Sequence, residues 1–395
     1  MPWKETWPVR ERQEMLALYR TGMYTVTELA RHFAVSRKTL HKWLARMVKG
    51  EEDGLENRSR APHTHPNATQ EKVVQAVIGA KLAHPTWGPL KLSPGPQVPE
   101  AIAAAWPAPS TRGAILARAG LTTPRRRRRR VAPYTQPFAC CDGPNSTWCA
   151  DFKGWFRTTD GKRCDPLTIT DGYSRMLLCC QGLARTDYGQ VRPYFERTFR
   201  EYGLPAVIRT DNGPPFASMG VGGLSRLSVW WIKLGILPER IEPGHPEQNG
   251  RHERMHRTLK HDCLHPPAAT MAAQQRIFDA FRCSFNTERP HQALGLQPPA
   301  LSYGPSPRSF PTRLTDPEYL AGTQIRRVRS NGQVKWQGHL IFVGEALTGE
   351  AIGIQETTDC WLAWFGPILL GQLDPIRRSI QRPQPSAQSV THVPS

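Results

Sequence analysis

The chain has 395 residues, with 52 Lys and Arg against 33 Asp and Glu, a net charge of +19. That length accommodates two or three domains. The charge suits a polyphosphate ligand, and the 12 Trp argue against wholesale disorder. Nine cysteines are scattered, with adjacent pairs at Cys140–Cys141 and Cys179–Cys180 and no Cys-x-x-Cys. Reduced thiols in an intracellular protein are therefore expected, rather than a disulfide framework or a zinc site. No secretory leader and no bilayer-length apolar run is present, so a cytoplasmic, nucleoid-associated chain with no membrane partner is expected.

Residues 1–50 read as a DNA-binding domain. Glu11 to Tyr19 carries apolar Met15, Leu16, Leu18 and Tyr19, and Thr27 to Phe33 is a second short helix. Ala34-Val35-Ser36 turns, with Ser36 as N-cap, into a third helix from Arg37 to Met47 that has Leu40, Trp43 and Leu44 on its apolar face. Short helix, tight turn and basic helix make a helix-turn-helix, whose last helix enters the major groove. Arg37, Lys38, His41 and Lys42 on its polar side are the predicted DNA contacts. A generic three-helix bundle with a solvated basic face is the plainer alternative; charge and spacing favour the DNA reader.

Residues 51–69, polar and rich in Pro and His, read as linker. Residues 70–122 read as a second helical DNA-binding region, with helices over 71–82 and 111–119. It is partly disrupted, because Pro94, Pro96 and Pro99 break any helix between those two. Residues 123–143 read as an Arg-rich linker. Its six consecutive arginines, Arg125 to Arg130, repel one another, stay extended and suit a path along phosphates.

From Thr147 the period becomes that of strands. Trp148–Phe156, Pro166–Thr170 and Met176–Cys180 are three meandering strands, Tyr188–Tyr202 is an amphipathic helix, and Ala206–Thr210 is a short buried strand. Over residues 144–300 this is the ribonuclease-H-like order, a mixed α/β sheet covered by helices. Three acids stand in separate contexts within it. Asp151 lies in Trp148-Cys149-Ala150-Asp151-Phe152-Lys153-Gly154, Asp211 in Arg209-Thr210-Asp211-Asn212-Gly213, and Glu253 in Gly250-Arg251-His252-Glu253-Arg254. Singly each has a bland role: a strand edge, a turn, an i+4 partner for Arg257. Together, two strand carboxylates and one on a basic helix suit a two-metal phosphodiester site. Mg2+ and Mn2+ prefer carboxylate oxygens, and a metal pair about 4 Å apart can stabilise both the attacking and the leaving oxygen of an in-line displacement.

These three segments, with Gly244 to Arg254, resemble the retroviral-integrase-like catalytic core of bacterial insertion-sequence transposases, and Phe285 to Leu294 is similar to the segment that usually follows that core. The resemblance implies an Asp-Asp-Glu site in which Asp151, Asp211 and Glu253 are both catalytic and metal-binding. It also implies about 35 residues between the second and third acids, whose convergence the metals demand. Glu247 meets that count with 35, whereas Glu253 leaves 41. Glu253 is nonetheless the assignment and Glu247 the alternative. Asn249-Gly250 is a turn signal that leaves Glu247 on a loop behind Pro246, while Glu253 opens a helix reaching about Leu264. On that helix His256, Arg257 and Lys260 are expected to share its face. The surplus residues fit the Met219–Gly223 loop at little cost. Lys153, Arg257 and Lys260 are expected at phosphates, and Asn249 where the DNA backbone approaches. Gathered carboxylates repel when no cation is present, so metal binding is expected to order the site.

Residues 301–320, rich in Pro and Ser, read as linker. Six short alternating strands over 321–376, separated by Asn331-Gly332, Gln337-Gly338 and Gly366-Pro367, read as a small β-barrel. Residues 377–395 read as a disordered tail. The expectation is a multidomain α+β transposase that binds its element's terminal inverted repeats and target DNA as a homo-oligomer on paired ends. It would cut 3′ ends and transfer strands with two Mg2+ or Mn2+ ions. The alternative is a catalytically decayed relative that only binds DNA.

Overall fold

The computed structural model describes residues 7–48, 55–57, 66, 68–122, 141–218, 220–241, 250–358 and 360–381. The arginine run, Glu247 and Asn249 lie outside the described residues. Two compact units divide the chain, Met1–Thr69 and Gln70–Ser395.

The first unit holds α1 (Pro8–Arg20), α2 (Val26–His32) and α3 (Arg37–Val48) around Met15, Leu29, Ala30, Leu40 and Trp43. Thr25 and Glu28 close a capping box at the start of α2. Ala34 turns the chain at φ 52°. Ser36 Oγ accepts from Thr39 N at 3.1 Å at the start of α3. The Arg12 guanidinium lies 3.9 Å from the Trp43 ring centre, fastening α1 to α3.

The second unit opens with α4 (Glu71–Ala83), α5 (Glu100–Ala104) and α6 (Pro109–Arg118). The prolines shorten the middle helix to five residues without removing it: α5 starts directly behind Pro99. Trp87 and Leu92, from the connection before it, join Val77, Ile115 and Leu116 in a small core.

The central sheet contains β1 (Thr147–Phe152), β2 (Phe156–Arg157), β3 (Arg163–Asp171), β4 (Leu177–Leu183), β5 (Val207–Thr210) and β6 (Leu237–Arg240). Its order is β4-β3-β1-β5-β6, with β2 also on β3. The first three strands run antiparallel and β5 and β6 run parallel to β1, which is the ribonuclease-H-like arrangement. On one face α7 (Tyr188–Tyr202) and α8 (Arg226–Lys233) pack through Phe195, Phe199, Trp230 and Trp231. On the other, α9 (Gly250–Cys263) and α10 (Met271–Thr287) pack through Met255, Leu259, Phe278 and Phe281. The described cysteines are free thiols, and burial raises Cys164 and Cys263 to about 12.

The segment after the core is a strap rather than a free spacer. Tyr303 OH donates to Asn145 Oδ1 at 2.8 Å, Ser306 N to Tyr202 O at 2.8 Å and Leu204 N to Arg308 O at 2.7 Å. Phe310 packs on the main core. Aromatic and arginine side chains in a proline-rich stretch are what let it bind the surface it crosses.

Seven strands follow: β7 (Gln324–Arg327), β8 (Gln333–Trp336), β9 (His339–Phe342), β10 (Ala351–Glu356), β11 (Trp361–Phe365), β12 (Ile368–Asp374) and β13 (Ser379–Gln381). Their order β7-β10-β11-β12-β13-β9-β8 puts two consecutive strands at the sheet's edges, so it curls into a nearly closed barrel. Gln337 and Gly338, at φ 46° and 83°, make the two-residue β8–β9 turn. β13 is an ordered strand where the composition predicts a disordered tail, because it pairs both β12 and β9. The barrel shares its core with Leu224, Val229 and Ile232, so α8 is buried between sheet and barrel. Lys233 Nζ, 2.7 Å from Glu350 Oε2, ties the two together.

Candidate active site

The sheet's register builds the site's floor. Along β1 and β5, Thr147 pairs with Val207, Trp148 with Ile208 and Cys149 with Arg209. Two residues beyond the last pair are Asp151 and Asp211. The aspartates therefore stand at the carboxyl ends of neighbouring parallel strands, which run about 4.8 Å apart. Asp211 Oδ1 accepts from Gly213 N at 3.2 Å, and Asn212 Nδ2 donates to Ile241 O at 2.8 Å, holding the turn after β5. On its other side Asp151 pairs with Thr168 of β3, whose hydroxyl donates to the Asp151 carbonyl at 3.1 Å.

Helix α9 covers these strand ends with a buried stripe of His252, Met255, His256, Leu259 and Cys263. Nε2 of His252 and Nε2 of His256 each lie 2.7 Å from Thr168 Oγ1, and His252 Nδ1 lies 3.1 Å from Thr170 Oγ1. One hydroxyl thus gathers two imidazoles and the backbone of Asp151 at a single point. The imidazoles meet edge to face at 4.6 Å. Burial holds His252 down to about 3; burial, then the charges of His252 and Lys153, hold His256 down to about 2. Both rings are therefore neutral at physiological pH, and the 3.9 Å approach of His256 Nδ1 to Asp151 Oδ2 is not an ion pair.

The ligating atoms of Asp151, His252 and His256 all lie within 4.8 Å of one another, and they are the described group able to hold a metal. Asp211 and Glu253 are outside that group. Glu253 is exposed, on the stripe of α9 that also carries exposed Arg257 and Lys260. His256, expected on that stripe, instead faces the sheet: at positions 252 and 256 it and His252 exchange water for threonine hydroxyls. Lys153 is half-buried beside His256. Arg37, Lys38, His41 and Lys42 are all exposed on α3. Sequence reasoning missed Thr168, Thr170 and His252. The His252-to-His256 step of four, continuing to Leu259 and Cys263, was the available signal.

Residues 142–246 and 234–299 match models of the integrase core domain, and residues 11–63 match a helix-turn-helix domain. The insertion element IS407 uncharacterized 31.7 kDa protein of Burkholderia multivorans is 30% identical over 188 residues, covering 46% of this chain and 64% of its own length. The insertion element IS476 uncharacterized 39.2 kDa protein of Xanthomonas euvesicatoria is 30% identical over 181 residues, covering 45% and 49%. The chain thus spans half to two thirds of the length of these curated relatives. The magnesium-bound catalytic core domain of HTLV-2 integrase aligns over 41% of this chain and 99% of its own, at 15% identity and a TM-score of 0.33. Domain matches and sheet topology define a chain with an integrase core and a DNA-reading helix-turn-helix. These matches, with the likeness to insertion-element proteins, support a bacterial insertion-sequence transposase with an integrase-like core.

Proposed function

We propose that the chain binds the terminal inverted repeats of its element through α3, cuts the 3′ ends by hydrolysis and joins them to target DNA by transesterification. It acts as a homo-oligomer on paired ends, in the cytoplasm at the nucleoid. The observation that carries this reading is the β1–β5 register, which leads to Asp151 and Asp211 together within an integrase-core match.

Asp151, Asp211 and Glu253 are the proposed ligands of a two-metal Mg2+ or Mn2+ site. The donors suit such ions: carboxylate oxygens at two strand ends, with an imidazole nitrogen of His256 nearby that would favour Mn2+ over Mg2+. Bound there, the ions supply a lowered pKa for the attacking water or 3′-hydroxyl and charge to stabilise the displacement. The chain's own residues do the positioning. Thr168 holds the Asp151 backbone and both histidines, so the first turns of α9 are referenced to the strand that carries Asp151. Glu253, Arg257 and Lys260 follow one stripe of α9 and move as one rigid body, carrying the third carboxylate together with cations for flanking phosphates. Lys153 serves a phosphate at the Asp151 end.

Glu253, exposed on α9, is separate from the group of Asp151, His252 and His256. The same separation is the one observation on the side of a decayed relative that only binds DNA. A strand-transfer assay on labelled element ends with Mn2+ decides: joined products are expected, and end binding with no cleavage or joining would leave the decayed reading.

A further inference from the structure

The stretch spanning the end of α10 and the segment after it, Asn286 to Leu294, lies outside the candidate metal group. Its first residue is structural: buried Asn286 accepts from Leu177 N at 2.8 Å and donates to Leu177 O at 2.9 Å, clamping the start of β4. Three residues on, Arg289 bridges the core to the helical region before it. Its Nη1 donates to Thr86 Oγ1 at 3.2 Å and its Nη2 to Thr258 Oγ1 on α9 at 3.3 Å. His291 stands edge-on to the Phe285 ring at 4.9 Å, and its Nε2 is buried with no hydrogen-bond partner among the described residues.

Lys91 is half-buried in the connection between α4 and α5 and near enough to Arg289, Arg254 and His291 for their charges to act on one another. Burial, then the charges of Arg289 and Arg254, lower its ammonium to about 8. His291 is held down to about 3 by burial, then by Lys91, Arg289 and Arg175. The acid that acts on Arg289 is Asp262, which also meets Thr86 Oγ1 at 3.3 Å. Among the described residues the cations named here outnumber the acid that offsets them; Arg289 is buried, Lys91 half-buried and Arg254 exposed at the rim, and the buried part of such a cluster costs free energy unless an anion completes it.

We propose that Lys91, Arg254, Arg289 and His291 form a pocket that grips one backbone phosphate of DNA beside α9. A phosphodiester brings the missing negative charge and the acceptor oxygens for the Lys91 ammonium and the unpartnered His291 Nε2–H. Arg254 lies on α9, the helix that also carries Glu253, so the gripped phosphate lies along the candidate catalytic helix. A free phosphate ion has the same chemistry; a position along the catalytic helix favours DNA. The inference rests on the transposase reading, and it gives the Arg289-Pro290-His291 segment a role.

The test is the salt dependence of DNA binding by the full chain, in wild type, Lys91→Met (same stem, no charge) and Lys91→Arg. Losing one phosphate contact makes the log–log slope shallower by about 0.9 and weakens binding roughly tenfold. Lys91→Met is expected to show both changes and Lys91→Arg neither. Should Lys91→Met fold poorly, Arg254→Gln, on the exposed side of α9, reads the same slope. An unchanged slope in Lys91→Met while Arg37→Ala flattens it overturns the pocket and leaves the DNA-binding reading standing. Salt-independent wild-type binding would sink both. Titrated inorganic phosphate that binds wild type but not Lys91→Met, with DNA slopes unchanged, identifies a free-anion site and likewise overturns the proposal.

Discussion

Asp151 and Asp211 come to the candidate site by a different route from Glu253. The aspartates stand at the carboxyl ends of β1 and β5, so main-chain pairing and the two-residue period of strands set their positions. Glu253 rides on α9, whose rotation against the sheet is decided by side chains: His252 and His256 against Thr168 and Thr170 at the N-terminal end, Met255 and Leu259 in the core. A strand pair places its carboxylates within narrow limits, whereas a docked helix places its carboxylate only as well as its buried face is specified. The first two acids stand at a strand pair and the third on a docked helix.

The comparison breaks most sharply at the third acid. Glu253→Gln is expected to lower strand transfer roughly a thousandfold or more while binding to element ends survives. Glu247→Gln should leave joining within a few-fold of wild type. Reversed results in a joining assay would move the helix-borne ligand to the preceding loop. Next in size is Thr168→Val, which keeps the shape and removes the hydroxyl. Loss of the shared support for α9 and Asp151 should cost roughly 10–100-fold in joining and about 1–3 kcal/mol in stability measured by urea unfolding. A variant as active as wild type would mean that α9 is aligned by its apolar contacts alone.

An effect confined to low pH probes the brace behind α9. Burial puts His291 at about 3 in the folded chain, below the roughly 6.5 of a solvated ring, so the unfolded chain takes up the proton first. The contribution of the neutral ring to stability is complete above about pH 6.5 and is lost as pH falls towards about 3, by about 1.4 kcal/mol per pH unit. His291→Gln should remove that share of the pH slope in unfolding experiments at fixed ionic strength. An identical slope in the variant would put the ring in solvent.

Much of this architecture was legible from local signals. The 188–202 helix, the turn at Ser36 and the Gln337-Gly338 hairpin each follow from residues within one element and appear as read. The integrase-type motifs pointed to the family because each acid carries its own neighbours with it. Two features were misread. The 301–320 segment looked like a spacer because of its proline and serine, yet Tyr303, Arg308 and Phe310 fasten it to the core. His256 looked like part of the exposed cationic stripe because helical spacing alone allows either face.

Composition, period and motif by themselves determined a basic, multi-unit DNA-handling chain with its acids on two strands and one helix, because those properties are carried by near neighbours in sequence. Tertiary structure alone decided that α8 is shared between sheet and barrel, that His252 and His256 turn inward and that Glu253 turns outward. Burying a polar ring is tolerable only when a partner satisfies it, and for His252 and His256 that partner, Thr168, lies 84 and 88 residues away. No local pattern encodes a hydrogen bond over that distance; packing of the whole core supplies it.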